Sequence, residues 1–198
     1  MAHRIQPGWR YNLAQLLLRL LYGRPWHFIA AWPKVGPSAV IFPVNNGRVL
    51  LALRAGKIEH VGCWSGIGGF LELPKKESFA EGAAREFYEE TGCRLNTAKL
   101  PAAPHALYLS YGQVKKEEAS SDIVCGFYYA SASANLIDSL HTQEETSAFA
   151  WFDAAQCREM IATGKIPPDF TDTHAALADL FQRLEAGETF PPLPLVKA

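Results

Sequence analysis

Residues 77–93 read ESFAEGAAREFYEETGC, a stretch that combines helix-boundary residues with several carboxylates. Ser78 and Glu81 form the pattern of a capping box at a helix start. Gly92 is placed to end the same helix, because glycine adopts the left-handed conformation that follows a last turn. The pattern predicts a helix over about 79–91. Its apolar positions, which would dock it on the rest of the domain, are Ala83, Ala84 and Phe87.

The predicted helix carries three carboxylates on one face, since Glu86, Glu89 and Glu90 stand at i, i+3 and i+4. Each exposed like-charge pair at this spacing costs about 0.2–0.5 kcal/mol. A divalent cation such as Mg²⁺ removes that cost, because it prefers carboxylate oxygens. The alternative is a solvated acidic face. The three glutamates alone leave the two interpretations equal.

The surroundings of these glutamates resemble the Nudix hydrolase signature. That signature reads Gly, five residues, Glu, seven residues, then Arg-Glu-apolar-x-Glu-Glu-x-Gly-apolar. Here Glu77 is followed by seven residues and then by residues 85–93, which match throughout. Upstream, Trp64 and the glycines at 68 and 69 stand where the family has a Trp and a double glycine. A weaker pattern extends the resemblance over about residues 36–165.

The chain departs from the family pattern in the loop before the helix. Seven residues separate Gly69 from Glu77 instead of five. Lys76 stands where the family has glycine, and Ile67 where it has proline. These changes bear on the geometry of the loop and on the role of Glu77.

The resemblance implies an α/β fold, a Nudix-like α/β/α sandwich with a mixed β-sheet. It also implies a site for Mg²⁺, with Mn²⁺ as an alternative. The implied metal ligands are Glu86, Glu89, Glu90, the backbone carbonyl of Gly69 and, as a further ligand or a support, Glu77. Arg85 would hold the glutamates in place by ion pairing.

The implied reaction is attack by a metal-activated water on a diphosphate bond. The substrate would be a nucleoside diphosphate linked to another moiety, such as a nucleotide sugar, an ADP-ribose-like compound or a dinucleoside polyphosphate. The general base is open between Glu86 and the two glutamates before Trp151, Glu144 and Glu145, and we favour Glu145. The other hypothesis is a non-catalytic Nudix-like domain that senses a nucleotide or sugar phosphate. Such domains usually lack a signature glutamate, and here every one is present.

Two residues outside the signature are candidate substrate contacts. Arg54 ends the second strand of a predicted hairpin, where it would bind phosphate or be an ordinary strand-end arginine. Tyr108 and Tyr111 lie 15 and 18 positions after Cys93. Relatives that hydrolyse dinucleoside polyphosphates tend to have Tyr in this region, and those that hydrolyse ADP-ribose tend to have Pro. This comparison slightly favours a dinucleoside polyphosphate.

The remaining elements follow from hydrophobic periodicity and turn residues. Asn45, Asn46 and Gly47 predict a type I′ turn between strands at 38–44 and 48–55. Further strands are predicted at 106–111, 123–130 and 149–152, and helices near 154–162 and 173–185.

The sequence divides into three parts: an N-terminal helical arm (1–34), a Nudix hydrolase domain (35–190) and an irregular Pro-rich tail (191–198). Residues 12–22 form an amphipathic pattern with leucine at every third or fourth position. We favour packing of this helix on its own domain or on a second subunit, as in a homodimer, over a role at a membrane surface.

Composition limits the classes of partner. Residues 1–58 contain eight basic and no acidic residues, while 59–198 contain eleven basic and all twenty acidic residues, so +8 is followed by −9. The net charge of −1 predicts no nucleic acid polymer as partner. Four cysteines without a CxxC pair predict free thiols and a reducing, cytoplasmic compartment. No apolar run approaches the roughly 20 residues of a membrane span.

Overall fold

The computed structural model describes residues 36–56, 58–110 and 123–196. The predicted N-terminal arm and Tyr111 lie outside the described residues. The strands are β1 (Gly36–Asn45), β2 (Arg48–Arg54), β3 (Trp64–Ser65), β4 (Ile67–Phe70), β5 (Ala106–Ser110), β6 (Ile123–Ser131) and β7 (Thr146–Phe152). The helices are α1 (Phe79–Thr91), α2 (Leu136–Ser139), α3 (Ala154–Ala162) and α4 (Thr171–Glu185), with short 3-10 turns at Leu73–Lys75 and Thr97–Lys99.

The strands form one mixed sheet around β1. Strand β1 pairs in parallel with β6 and antiparallel with β2 and β4, and the main order is β3-β2-β1-β6-β5. Strand β7 pairs with β2. The predicted hairpin is confirmed, because Asn46 and Gly47 have φ of 46° and 72°, the positive values that a type I′ turn requires.

The two faces of the sheet carry separate hydrophobic clusters. Ile41 and Phe42 are both fully buried, yet they belong to opposite clusters because successive strand residues point to opposite faces. Helix α1 covers the face of Ile41, with Phe87 fully buried against it. Helices α3 and α4 cover the face of Phe42. The fold is therefore the predicted α/β/α sandwich.

Helix α1 has the boundaries that its sequence predicts. The Ser78 hydroxyl accepts from the Glu81 N–H, and the Glu81 carboxylate accepts from the Ser78 N–H, so the capping box is complete. Gly92 has φ of 72° and donates its N–H to the Tyr88 carbonyl. These local interactions fix where the acidic face begins and ends.

Strand β7 and helix α4 extend further than predicted. Strand β7 begins at Thr146 rather than 149, because its pairing with β2 continues from Val49 to Arg54. Helix α4 begins at Thr171, two residues earlier than predicted. The extension of β7 places Thr146 opposite Arg54 at the end of β2.

The described part of the tail, residues 191–196, is fastened to the domain by backbone hydrogen bonds. Ser131 donates to the Pro191 carbonyl at 2.8 Å, and Leu193 donates to the Ser131 carbonyl at 2.7 Å. Leu193 is buried in the cluster beneath α1. The four cysteines are unpaired, as predicted, and Cys125 and Cys157 are buried.

Candidate metal and diphosphate site

The double glycine of β4 lies directly against the carboxylates of α1. A Cβ on Gly69 would lie 2.7 Å or less from both carboxylate oxygens of Glu86, closer than real Cβ contacts come. The Gly68 N–H donates to Glu90 Oε1 at 3.0 Å. Glycine is needed here because only a backbone without side chains can approach these carboxylates.

Arg85 joins the acidic residues into one network. Its Nε and Nη2 donate to the two carboxylate oxygens of Glu77 at 2.8 and 3.0 Å. Its Nη1 donates to Glu86 Oε1 at 2.7 Å and to Glu89 Oε2 at 3.0 Å. Nη2 also donates to the Phe70 carbonyl. The hydrogen bonds to Glu77, and then those to Glu86, raise the pKa of Arg85 although burial opposes this.

The lengthened loop before α1 closes as a single 3-10 turn and leaves Glu77 inside the network. Lys76 ends this turn in the left-handed conformation, with φ of 56°. The Glu72 N–H donates to Glu77 Oε2 at 2.7 Å, so both oxygens of Glu77 are hydrogen-bonded. Burial opposes ionisation of Glu77, but the hydrogen bonds from Arg85 and Glu72 outweigh it and lower its pKa. The loop and Arg85 together hold the Glu77 carboxylate in place.

Glu86 and Glu90 are ionised only at a cost in this environment. Burial raises the pKa of Glu90 to about 8, against the hydrogen bond from Gly68 and with a further rise from nearby Glu86. Thr146 Oγ1 donates to Glu90 Oε2 at 3.4 Å. Burial also raises the pKa of Glu86, although Arg85 opposes the shift. The ionised forms of both carboxylates are thus disfavoured, and a cation between them would stabilise both.

Across residues 36–56, 58–110 and 123–196, no group of three or more His, Cys, Asp or Glu side chains is already arranged to hold a metal ion. The Nη1 atom of Arg85 bridges Glu86 and Glu89, while Glu90 turns to Gly68. The donors are nevertheless of the right chemistry, because carboxylate and carbonyl oxygens are the ligands that Mg²⁺ prefers.

Arg54 and Glu145 lie beside this network. The pairing of β2 with β7 shifts register between Leu53 and Arg54. Such an irregularity changes the direction of the side chain at the end of a strand. The Arg54 Nε donates to the Glu59 carbonyl at 3.0 Å. Burial lowers the pKa of Arg54, while the nearby carboxylates of Glu90 and Glu145 oppose that shift. The Ala55 N–H donates to the Glu145 carbonyl, which ties the two loops together.

Tyr108 lies elsewhere. On β5 it packs with the cluster beneath α3 and α4, with its ring centroid 6.1 Å from that of Phe127. Helix α1 covers the other face of the sheet. The structure therefore brings Arg54 and Glu145 to the acidic residues but does not bring Tyr108 to them. Alternation along β5 is the physical reason, because it points Leu107 and Leu109 to the α1 side.

One contact of Arg54 has no signal in the sequence. Its Cζ lies 5.4 Å from the centroid of the Phe170 ring. Phe170 directly precedes α4 and is 116 positions away in the chain, so no local pattern links the two residues. Only the packing of the 55–63 loop against the connection between α3 and α4 brings them together.

The family model for the NUDIX domain matches residues 34–171, well over half of the chain. The chain belongs to this family. It is accordingly an enzyme, a Nudix-type diphosphate hydrolase. A search of curated proteins finds no significant match.

Solved structures share the fold at low sequence identity. The MutT protein of Methanosarcina mazei is 19% identical with a TM-score of 0.53, over 78% of this chain and 97% of that one. A NUDIX hydrolase of Nitrosomonas europaea is 20% identical with a TM-score of 0.52, over 82% and 77%. A bifunctional NMN adenylyltransferase/ADP-ribose pyrophosphatase of Francisella tularensis, in complex with AMP and a Mn ion, is 17% identical with a TM-score of 0.54, over 86% and 49%.

The helices of the described ranges are all too short or too polar to cross a membrane.

Proposed function

We propose that this enzyme hydrolyses the diphosphate bond of a nucleoside diphosphate linked to another moiety, and that Mg²⁺ bound at α1 is required. The observation that carries the proposal is the approach of Glu86 and Glu90 to the backbone of Gly69 and Gly68. A plain surface helix has no reason to place carboxylates in a niche where burial raises their pKa.

The metal would be held by Glu86, Glu89 and Glu90, with the carbonyl of Gly69 as a further oxygen donor. When bound, Mg²⁺ supplies positive charge that stabilises the charge developing on the diphosphate. Mn²⁺ is the alternative ion, and the Francisella protein of the same fold is described with it. Glu77 has both oxygens engaged by Arg85 and Glu72, which supports a positioning role rather than a ligand role.

The other side chains would bind substrate and move a proton. Arg85 would orient Glu86 and Glu89 through its Nη1, which donates to both carboxylates. Arg54 would bind a phosphate oxygen of the substrate, since its guanidinium lies next to the acidic site and stays charged. Glu145 would take the proton of the attacking water.

The substrate class is tested with purified protein and a panel of nucleotide sugars, ADP-ribose and dinucleoside polyphosphates. Each is incubated with Mg²⁺ and, separately, with Mn²⁺. Phosphate released by an added phosphatase from the newly formed monoesters reports turnover. We expect hydrolysis of at least one class and none in excess EDTA. Tight binding without turnover of any member would instead identify a sensing domain.

The choice of general base is tested with Glu145→Gln against its exposed neighbour Glu144→Gln. If Glu145 is the base, its variant loses about 10²- to 10⁴-fold in kcat with little change in KM. The Glu144 variant should stay within about twofold of wild type. An undiminished kcat for Glu145→Gln would leave Glu86 as the base.

A further inference from the structure

Phe170 and Arg54 form a contact that the proposed chemistry does not use directly. The Arg54 Cζ at 5.4 Å from the ring centroid is within the range of a cation–π interaction. Apart from this ring, the guanidinium is held by a hydrogen bond from Nε to the Glu59 carbonyl and faces the carboxylates of Glu90 and Glu145. The Phe170 ring and the carboxylates of Glu90 and Glu145 are therefore all neighbours of this cation.

Phe170 is itself fixed by the neighbouring pair of His60 and Asp169. The His60 ring packs edge-on against the Phe170 ring, with centroids 5.2 Å apart and planes at 81°. Its Nε2 lies 3.0 Å from Asp169 Oδ2. His60 has φ of 58°, so the backbone takes a left-handed turn to present this ring. This pair joins the 55–63 loop to the segment that precedes α4.

Backbone hydrogen bonds also connect the same two segments. Arg54 donates its backbone N–H to Cys63 and accepts at its carbonyl from Gly62, both at 2.9 Å, which closes the 55–63 loop. The Trp64 N–H donates to the Lys165 carbonyl at 2.7 Å. The backbone around Arg54 is therefore fixed without Phe170. What Phe170 adds is restraint of the long arginine side chain.

We infer that Phe170, held by His60 and Asp169, is a positioning residue that fixes the guanidinium of Arg54 for binding substrate phosphate. The inference rests on the proposed role of Arg54. An arginine side chain loses rotamer entropy when it is immobilised. A ring that immobilises it in the free enzyme removes part of that cost from substrate binding. The effect therefore belongs in KM rather than in kcat.

The test is a double-mutant cycle on the full chain with Phe170→Leu, Arg54→Gln and the double variant, read with the best substrate of the panel. We expect Phe170→Leu to raise KM about threefold to tenfold with kcat within about twofold. Arg54→Gln should raise KM further. The double variant should match Arg54→Gln alone, because Phe170 then has nothing to position. Additive effects on KM would overturn the inference.

Two further variants keep the test decisive if Phe170→Leu folds poorly. His60→Asn keeps a residue that tolerates positive φ but cannot reach Asp169, and it should raise KM as Phe170→Leu does. Phe170→Tyr retains the ring and should restore the wild-type KM. The matched control is Phe152→Leu, which removes an aromatic ring of β7. Phe152 lies opposite Val49, at the end of β2 away from Arg54, and its ring packs edge-on against that of Trp64 with centroids 4.8 Å apart.

A measurement that needs no turnover separates this inference from the proposed function. The Nε–H of Arg54, bonded to the Glu59 carbonyl, should give a slowly exchanging ¹⁵N NMR signal in the wild type. Its exchange should quicken at least about tenfold in Phe170→Leu and His60→Asn but not in Phe152→Leu. Unchanged exchange in both variants would contradict the positioning role, whatever the panel shows. If no substrate of the panel is hydrolysed but the NMR exchange changes as expected, only the proposed substrate class is contradicted.

Discussion

Lys76 has a φ of 56°, a conformation that costs a residue with a Cβ roughly 1–2 kcal/mol. It ends the 3-10 turn that accommodates the two extra residues of the loop. We expect Lys76→Gly to raise the free energy of unfolding by about 0.5–1 kcal/mol, since relief of strain exceeds the added chain entropy. Urea denaturation measures this. The control is Lys99→Gly. Lys99 is exposed in the other 3-10 turn and has no positive φ, so its replacement by glycine should lower the free energy of unfolding. A less stable Lys76→Gly would contradict the account.

Gly69 tests the close approach of β4 to α1. In Gly69→Ala the new methyl group would lie 2.6 Å from the carboxylate carbon of Glu86, so Glu86 must move. A displacement of this size should lower kcat/KM about 10²-fold. Gly47→Ala is the control, because it strains the hairpin at φ of 72° with no atom within 4 Å of the new group. It should lose stability but keep its activity. Full activity in Gly69→Ala would contradict the site.

At the scale of single elements, the capping box of α1 should act on stability alone. Ser78→Ala removes one partner of the reciprocal pair with Glu81 and should cost about 1 kcal/mol. Thermal denaturation measures the loss, and kinetics should show kcat and KM within about twofold of wild type. The reason is that Glu86, Glu89 and Glu90 lie in the last two turns, away from the cap. A large fall in kcat would show that the cap also positions the carboxylates.

Elements with complete local signals could be predicted from the sequence, and those defined by partners could not. The bounds of α1 follow from Ser78, Glu81 and Gly92, and the hairpin follows from Asn46 and Gly47. The first residues of β7 carry no such local signal, because Thr146 joins the strand through its pairing with Arg54. Because its pairing partner lies far away in the sequence, the residues of β7 themselves do not indicate that the strand is longer.

At the scale of the whole molecule, the N-terminal arm (1–34) lies outside the described residues, and its role is open to a direct test. Its leucine pattern at 12–22 predicts packing on its own domain or on a second subunit, as in a homodimer. If the helix packs on a second subunit, deleting residues 1–24 turns a dimer into a monomer in light scattering after size exclusion. If it packs on its own domain, the deletion leaves the size class unchanged and lowers the free energy of unfolding, and in both cases liposome binding should be negligible before and after. An apolar surface within the domain, with Leu107 and Leu109 more than half exposed on β5, is available for packing. Loss of liposome binding at constant size would favour the membrane role instead.

The site as a whole was only partly predictable for a related reason. The signature between Glu77 and Cys93 locates the carboxylates because they are neighbours in the chain. The side of the sheet on which Tyr108 lies, and the contact of Arg54 with Phe170, depend on how strands alternate and how distant loops pack. Those contacts need the three-dimensional structure.

The most direct test of metal binding by α1 is the Mg²⁺ dependence of hydrolysis in Glu89→Gln. Glu89 is suited to it because its side chain is 54% exposed, so the amide should not disturb folding. The control is Glu159→Gln, an exposed glutamate of α3. We expect the Glu89 variant to lose at least about tenfold in activity at saturating substrate and to need more Mg²⁺, with the control unchanged. Wild-type activity and Mg²⁺ dependence in Glu89→Gln would contradict the assignment of the metal site.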